Sequence, residues 1–222
     1  MIITIDGPSG TGKSTVARLL AKKLGFSFFD TGAMYRALSW WIQQEKIDMQ
    51  DLKELTSRLK DFQFSIQELG EEKRYFVHDV DVTEEIRKKE INEVVSKISA
   101  IKEIRELLLP IQREYAKTHD SVFEGRDLGT VVFPEADVKF FLTASPEVRG
   151  KRRYLELLSK NPNSSIQLEE VIQSLQKRDE QDSSREIAPL KCPLDAWILD
   201  TSEYPVDQVI GMLLQYTLTK KK

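Results

Sequence analysis

The sequence predicts an α/β protein, a five-stranded parallel sheet with helices on both faces. Three observations carry that reading. Short apolar runs at residues 2–5, 26–29, 121–124, 138–142 and 196–199 have strand length, and helical stretches stand between and after them. A glycine-rich turn joins the first strand to the first helix, and Gly25 sits where that helix needs a C-terminal glycine.

The first strand leads into Gly7-Pro8-Ser9-Gly10-Thr11-Gly12-Lys13-Ser14, followed by Thr15 and a helix over 13–24. Strand, loop and helix in that order is the context in which G-x-x-x-x-G-K-[ST] binds phosphate. The glycines let backbone N–H groups turn inward on phosphate oxygens, and the helix aims its positive end at them. Lys13 is expected to reach the β- and γ-phosphates and the Ser14 hydroxyl to complete a Mg²⁺ shell. A glycine turn that merely joins two elements is the plainer alternative. Residues 30–32 then turn the second strand into a helix through about 44, and further helices are expected at 101–117, 146–159, 167–181 and 205–218.

The middle of the chain breaks this rhythm. Residues 62–66 alternate at period two, and 74–77 and 80–82 follow as further short antiparallel strands, with a turn at Leu69-Gly70-Glu71-Glu72. A helix is expected over 84–99. Residues 60–100 therefore read as a small α+β insertion on the edge of one main domain spanning 1–222, either structural elaboration or a working part. Asn161-Pro162-Asn163-Ser164-Ser165 is a loop between two helices, and Lys220-Lys221-Lys222 reads as a frayed tail.

Composition excludes several classes. A net charge of −3 provides no global field for nucleic acid or an anionic membrane. A single cysteine, Cys192, excludes an internal disulfide, and with two separated histidines it excludes a zinc cluster. No window is long and apolar enough to cross a bilayer, and the start has no signal-peptide pattern. The expectation is a cytoplasmic protein, monomeric because no repeating apolar stripe is left over.

Three charged clusters stand out, the first two directly after predicted strands, where open α/β sheets place their ligands. Arg36 lies in the first turns of the helix after residue 30; taken singly it reads as an ordinary surface arginine. Glu124-Gly125-Arg126-Asp127 delivers an arginine and a carboxylate to the same edge, as a ligand grip or as an internal ion pair. Arg178, Asp182 and Arg185 are spaced to share one helical face, which in isolation reads as a solvated salt-bridge stripe. Arg149, Lys151, Arg152 and Arg153 add a basic set on the preceding helix, so residues 149–186 look like a lid that closes over phosphates and keeps water out. Arg36, Arg126, Arg153, Arg178 and Arg185 are more cation than one triphosphate needs. A second, phosphate-bearing substrate is implied, with Asp127 and Asp182 suited to sugar hydroxyls or an exocyclic amine.

The phosphate loop, Asp30-Thr31-Gly32-Ala33-Met34-Tyr35-Arg36, Gly125-Arg126-Asp127-Leu128-Gly129-Thr130-Val131-Val132-Phe133-Pro134, and Arg178-Asp179 with Arg185 and Ala188-Pro189-Leu190 together resemble the bacterial cytidylate kinases, in order and over essentially the whole chain. The resemblance implies the nucleoside monophosphate kinase fold, with an acceptor-binding insertion and a helical lid. It implies transfer of the γ-phosphoryl of ATP to CMP or dCMP with Mg²⁺. By the same resemblance, residues 7–15 bind the donor, and Lys13, Arg153 and Arg185 are catalytic. Arg36 and Arg126 hold the CMP phosphate, and Thr31, where some members have Ser, is among the substrate-binding residues. Ser96, Arg105 and Asp127 read cytosine, and Arg178 and Asp182 contact the sugar. No catalytic histidine is expected. Rival readings are a kinase of another small acceptor, such as shikimate or adenylate, and a nucleotide switch or ATPase acting through a protein partner, for which no Asn-Lys-x-Asp guanine-reading segment is present.

Overall fold

A computed structural model describes residues 1–69, 72–162 and 164–220. Gly70 and Glu71 of the expected turn, Asn163 of the expected loop, and Lys221 and Lys222 of the expected tail lie outside the described residues. In chain order the first elements are β1 (Ile2–Asp6), α1 (Lys13–Leu24), β2 (Ser27–Asp30), α2 (Thr31–Gln44) and α3 (Leu52–Leu59). β3 (Phe64–Leu69), β4 (Glu72–Val77), β5 (Val80–Asp81), α4 (Lys89–Ile98) and α5 (Lys102–Thr118) follow. The chain closes with β6 (Ser121–Glu124), β7 (Val138–Thr143), α6 (Pro146–Lys160), α7 (Leu168–Ser183), β8 (Trp197–Asp200) and α8 (Val206–Lys220). Two units are present: Met1–Phe29 with Tyr115–Lys222, and Asp30–Glu114.

The first unit carries a five-stranded sheet in the order β2-β6-β1-β7-β8. β1 pairs in parallel with β6, Ile3 opposite Val122, and with β7, Ile5 opposite Phe140; β7 pairs in parallel with β8. A central strand covered on both faces needs a continuous apolar run, and Ile3 and Ile5 are fully buried. They pack with Val16, Ala17 and Leu20 of α1, Phe140 and Leu142 of β7, and Leu213 of α8 in one apolar core. Phe123 carries a second cluster, with ring centroids 4.4 Å from Phe133 and 5.4 Å from Phe29. Parallel order brings the C-terminal ends of β1, β6 and β7 to one edge, and the phosphate loop leaves from the middle of it.

The second unit contains α2, capped by Asp30, whose carboxylate accepts from Ala33 N at 2.8 Å. Its sheet is antiparallel in the order β3-β4-β5, with Ile66 opposite Tyr75 and Val77 opposite Val80.

Several expectations need correction. The helix expected over 84–99 is a 3₁₀ turn, Glu85–Arg87, then α4, because Lys88 is extended at φ −63°, ψ 156°. α3 was not anticipated: Asp51 caps it, accepting from Lys53 N and Glu54 N, and Leu55 and Leu59 are buried. Helix α7 ends at Ser183, so Arg185 lies past the helix rather than on its face. Residues Leu128–Val132 form a π-helical turn where no element was expected.

Candidate active site

The phosphate loop fits against β7 only because residue 7 is glycine. Its φ is +142°, and a Cβ there would stand 2.1 Å from the Leu142 carbonyl oxygen. At the far end Gly12 opens α1 without a side-chain cap, and the first turn of α1 holds no acidic residue. No acidic side chain of that turn offsets the positive end of the helix dipole. Ser14 and Thr15 are exposed on that turn. Lys13 is buried, with Nζ 2.6 Å from the Pro8 carbonyl oxygen and 3.4 Å from Thr11 Oγ1. Burial and then the Arg126 charge bring its ammonium down to about 7, against the upward pull of Glu124, Asp179 and Asp6.

Arg126, leaving β6, donates from Nε to Asp182 Oδ2 at 3.0 Å and from Nη2 to Ser9 Oγ at 2.7 Å. Asp182 also accepts from Arg185. Its side chain is only 2% exposed, and burial alone would raise its pKa. Arg126, Arg185 and Arg178 outweigh burial and hold the carboxyl below its usual range. The structure thus brings together the loop, Arg126, Arg178, Asp182 and Arg185. Asp127 is buried beside Arg126 and opens the π-helical turn, its carbonyl accepting from Val131 N at 2.9 Å.

Arg153 is placed differently: it donates to Glu156 Oε2 at 2.7 Å on the same helix. In the second unit, Arg36 pairs with Asp30 at 3.1 Å and Thr31 is buried. Arg105 donates from Nη1 to the Ser99 carbonyl at 3.1 Å and lies 5.7 Å from the Tyr35 ring centroid. Ser96 is buried on α4.

Residues outside the expected set also shape the site. Asp6, the last residue of β1, is fully buried and accepts from Leu128 N at 3.0 Å and Gly129 N at 2.8 Å. Burial pushes its carboxyl up to about 7 in spite of those two bonds. A charged residue closing an otherwise apolar strand was the signal for it. Arg152 donates to the Thr201 carbonyl at 2.6 Å and hydroxyl at 3.0 Å, and Thr201 Oγ1 donates to the Thr11 carbonyl at 3.1 Å, bracing the loop from the residue after β8. Nothing local in the sequence pointed to Thr201.

A parallel sheet with a phosphate loop at its central β–α turn, and arginines converging on that loop, defines a P-loop kinase-type phosphotransferase. The solved shikimate kinase of Bacteroides thetaiotaomicron shares the fold at a TM-score of 0.50, 14% identity and 98% coverage of each chain. The cytidylate kinase family pattern matches residues 3–219. The chain is 51% identical over 223 residues to a cytidylate kinase of Protochlamydia amoebophila, covering 100% of this chain and 98% of the relative. It is 44% identical to one of Carboxydothermus hydrogenoformans, covering 97% and 96%. The chain belongs to the cytidylate kinase family. No helix among the described residues is long and apolar enough to cross a membrane.

Proposed function

We propose that the chain transfers the γ-phosphoryl group of ATP to CMP or dCMP, giving ADP and CDP or dCDP. The observation that carries this is the 2.7 Å contact from Arg126 to Ser9. It puts an arginine suited to a second phosphate directly against the donor loop. The CMP phosphate is already anionic near neutral pH, so no general base is needed. Catalysis is positioning and charge stabilisation in an in-line transfer.

In this reading residues 7–15 hold the ATP phosphates through Lys13 and through main-chain N–H groups other than those of Pro8, which has none, and Ser9, which donates to Asp179. Arg36 and Arg126 hold the CMP phosphate, Ser96, Arg105 and Asp127 read the base, and Thr31 also binds the substrate. Arg178 and Asp182 contact the sugar; a carboxylate has about four acceptor sites, so Asp182 retains capacity while it holds two guanidiniums. Arg185 and Arg153 serve the moving phosphoryl group, Arg153 by turning from Glu156 when the 149–186 lid closes. The 60–100 insertion serves the acceptor.

Among the described residues no group of three or more His, Cys, Asp or Glu could hold a metal ion by itself. The exposed Ser14 hydroxyl fits Mg²⁺, which takes few protein oxygens and otherwise binds phosphate and water. When bound there, Mg²⁺ supplies charge neutralisation on the β- and γ-phosphates. The chain works as a cytoplasmic monomer on these small molecules, without nucleic acid or membrane.

Coupled phosphoryl transfer from ATP with Mg²⁺ tests the reading across CMP, dCMP, UMP, AMP and shikimate. CMP and dCMP should give the highest kcat/KM. Faster phosphorylation of AMP or shikimate, or ATP hydrolysis indifferent to every acceptor, would refute it.

A further inference from the structure

Ser9 lies within the phosphate loop, and each of its three polar groups is held by a side chain from a different part of the chain. Its N–H donates to Asp179 Oδ1 of α7 at 3.0 Å. Its carbonyl accepts from Arg149 Nη1 of α6 at 2.9 Å. Its hydroxyl accepts from Arg126 Nη2 at 2.7 Å. Arg149 and Asp179 are also paired with each other, and Arg149 Nε donates to the Ala144 carbonyl at 3.1 Å. The loop lies directly on this part of α6. Gly10 has φ +80°, and a Cβ on it would stand 3.1 Å from both Cβ and the carbonyl oxygen of Arg149.

We propose that Arg149 and Asp179 are positioning residues for the phosphate donor, acting through the main chain of Ser9. The inference rests on reading residues 7–14 as the donor site. Loop amides bind phosphate only while they hold their aim, because hydrogen bonds weaken steeply with distance and angle. Two helices fix the loop at a single residue, one through its N–H and the other through its carbonyl. The pairing also answers a question of charge. A lone carboxylate 3.0 Å from a loop amide would repel a nucleotide's phosphates. Joined to Arg149, it anchors the amide while the pair adds no net charge.

That division of labour predicts an order of affinities that a simple brace between α6 and α7 does not. Arg149→Met leaves the carboxylate beside the phosphates. Asp179→Asn removes that charge and keeps a carbonyl oxygen for the Ser9 N–H.

The test is ADP binding by calorimetry, with no acceptor present, for the unsubstituted chain, R149M, R149M/D179N and R149K, with thermal midpoints measured alongside. R149M is expected to weaken ADP binding about tenfold or more, and the double variant to recover about threefold or more of that loss. R149K keeps the charge but loses the fork, and it covers the case in which R149M does not fold; about three- to tenfold weaker binding is expected. A double variant that binds ADP no better than R149M, or an R149K that binds like the unsubstituted chain, overturns the proposal. CMP phosphorylation by the unsubstituted chain separates the two readings. The expected order of ADP affinities without CMP turnover refutes the proposed acceptor and sustains this inference, whereas no ADP binding by the unsubstituted chain refutes the donor site itself.

Discussion

Nucleotide binding should consume a proton, and the proton should belong to Lys13. Its ammonium is brought down to about 7 by burial and by Arg126. At pH 8 only about a tenth of the lysines then carry charge before nucleotide is added. Phosphate oxygens placed against Nζ favour the charged form and draw the pKa back toward about 10.4. Binding at pH 8 should therefore take up close to one proton per site. Affinity should fall about tenfold, or about 1.4 kcal/mol, for each pH unit above about 7.5. The nucleotide contributes little to this uptake, since phosphate monoesters lose their second proton near about 6. The assay is calorimetric titration with ADP at pH 8 in buffers of different ionisation enthalpy, where the slope of apparent enthalpy counts protons. Asp6 titrates in the same range and an arriving anion would raise it too, so D6N is run in parallel with K13M. Uptake that survives in D6N and vanishes in K13M assigns the proton to Lys13. No uptake by the unsubstituted chain at pH 8 refutes the depressed lysine and the contact to phosphate with it.

Asp6 also predicts a stability effect of fixed sign. Its folded pKa of about 7 lies above the unfolded carboxylate value, so its contribution is full below about 4 and is lost as pH rises through about 7. Urea denaturation of D6N against the unsubstituted chain should therefore move in favour of D6N between pH 4.5 and 7.5, by about 3 kcal/mol; an unchanged difference would show that Asp6 is already ionised at pH 4.5. Asp182→Ala strands two guanidiniums around a nearly inaccessible site and should cost about 3–5 kcal/mol in denaturation and most of the turnover; a loss under 1 kcal/mol would contradict the picture of Asp182 as the hub. His78→Gln and His119→Gln should leave kcat and KM for CMP within about twofold, since the transfer needs no general base, and a large fall in kcat would overturn that mechanism.

Local features were legible in the sequence because their causes are local. The loop at 7–14, the glycine ending α1 and the turn at 30–32 into α2 each follow from residue types at fixed spacing. Partner choice was not legible. Arg149, Arg152 and Arg153 stand together in one basic stretch, yet they go to Ser9 and Asp179, to Thr201, and to Glu156 respectively. Sequence reports three cations; the sheet edge and the neighbouring helix decide where Arg149 and Arg152 point, while Arg153 meets Glu156 on its own helix. The break at Lys88 has no proline or glycine to announce it, and α3 buries too few residues for a strong period. Arg185 was placed on a helical face because the spacing allowed it, although Ser183-Ser184 is a fair place for a helix to stop.

The strand order has a consequence for how the molecule is made. β1 is central, and its neighbours begin only at Ser121 and Val138. At roughly 5–20 residues per second, a ribosome leaves Ile3 and Ile5 without their sheet partners for on the order of ten seconds. All of Asp30–Glu114 emerges in that interval, as one contiguous stretch with its own local pairings. Long-range strand pairing carries the larger loop-closure cost and comes later. The phosphate loop is synthesised ahead of the strands that flank β1, and its surroundings are among the last to assemble.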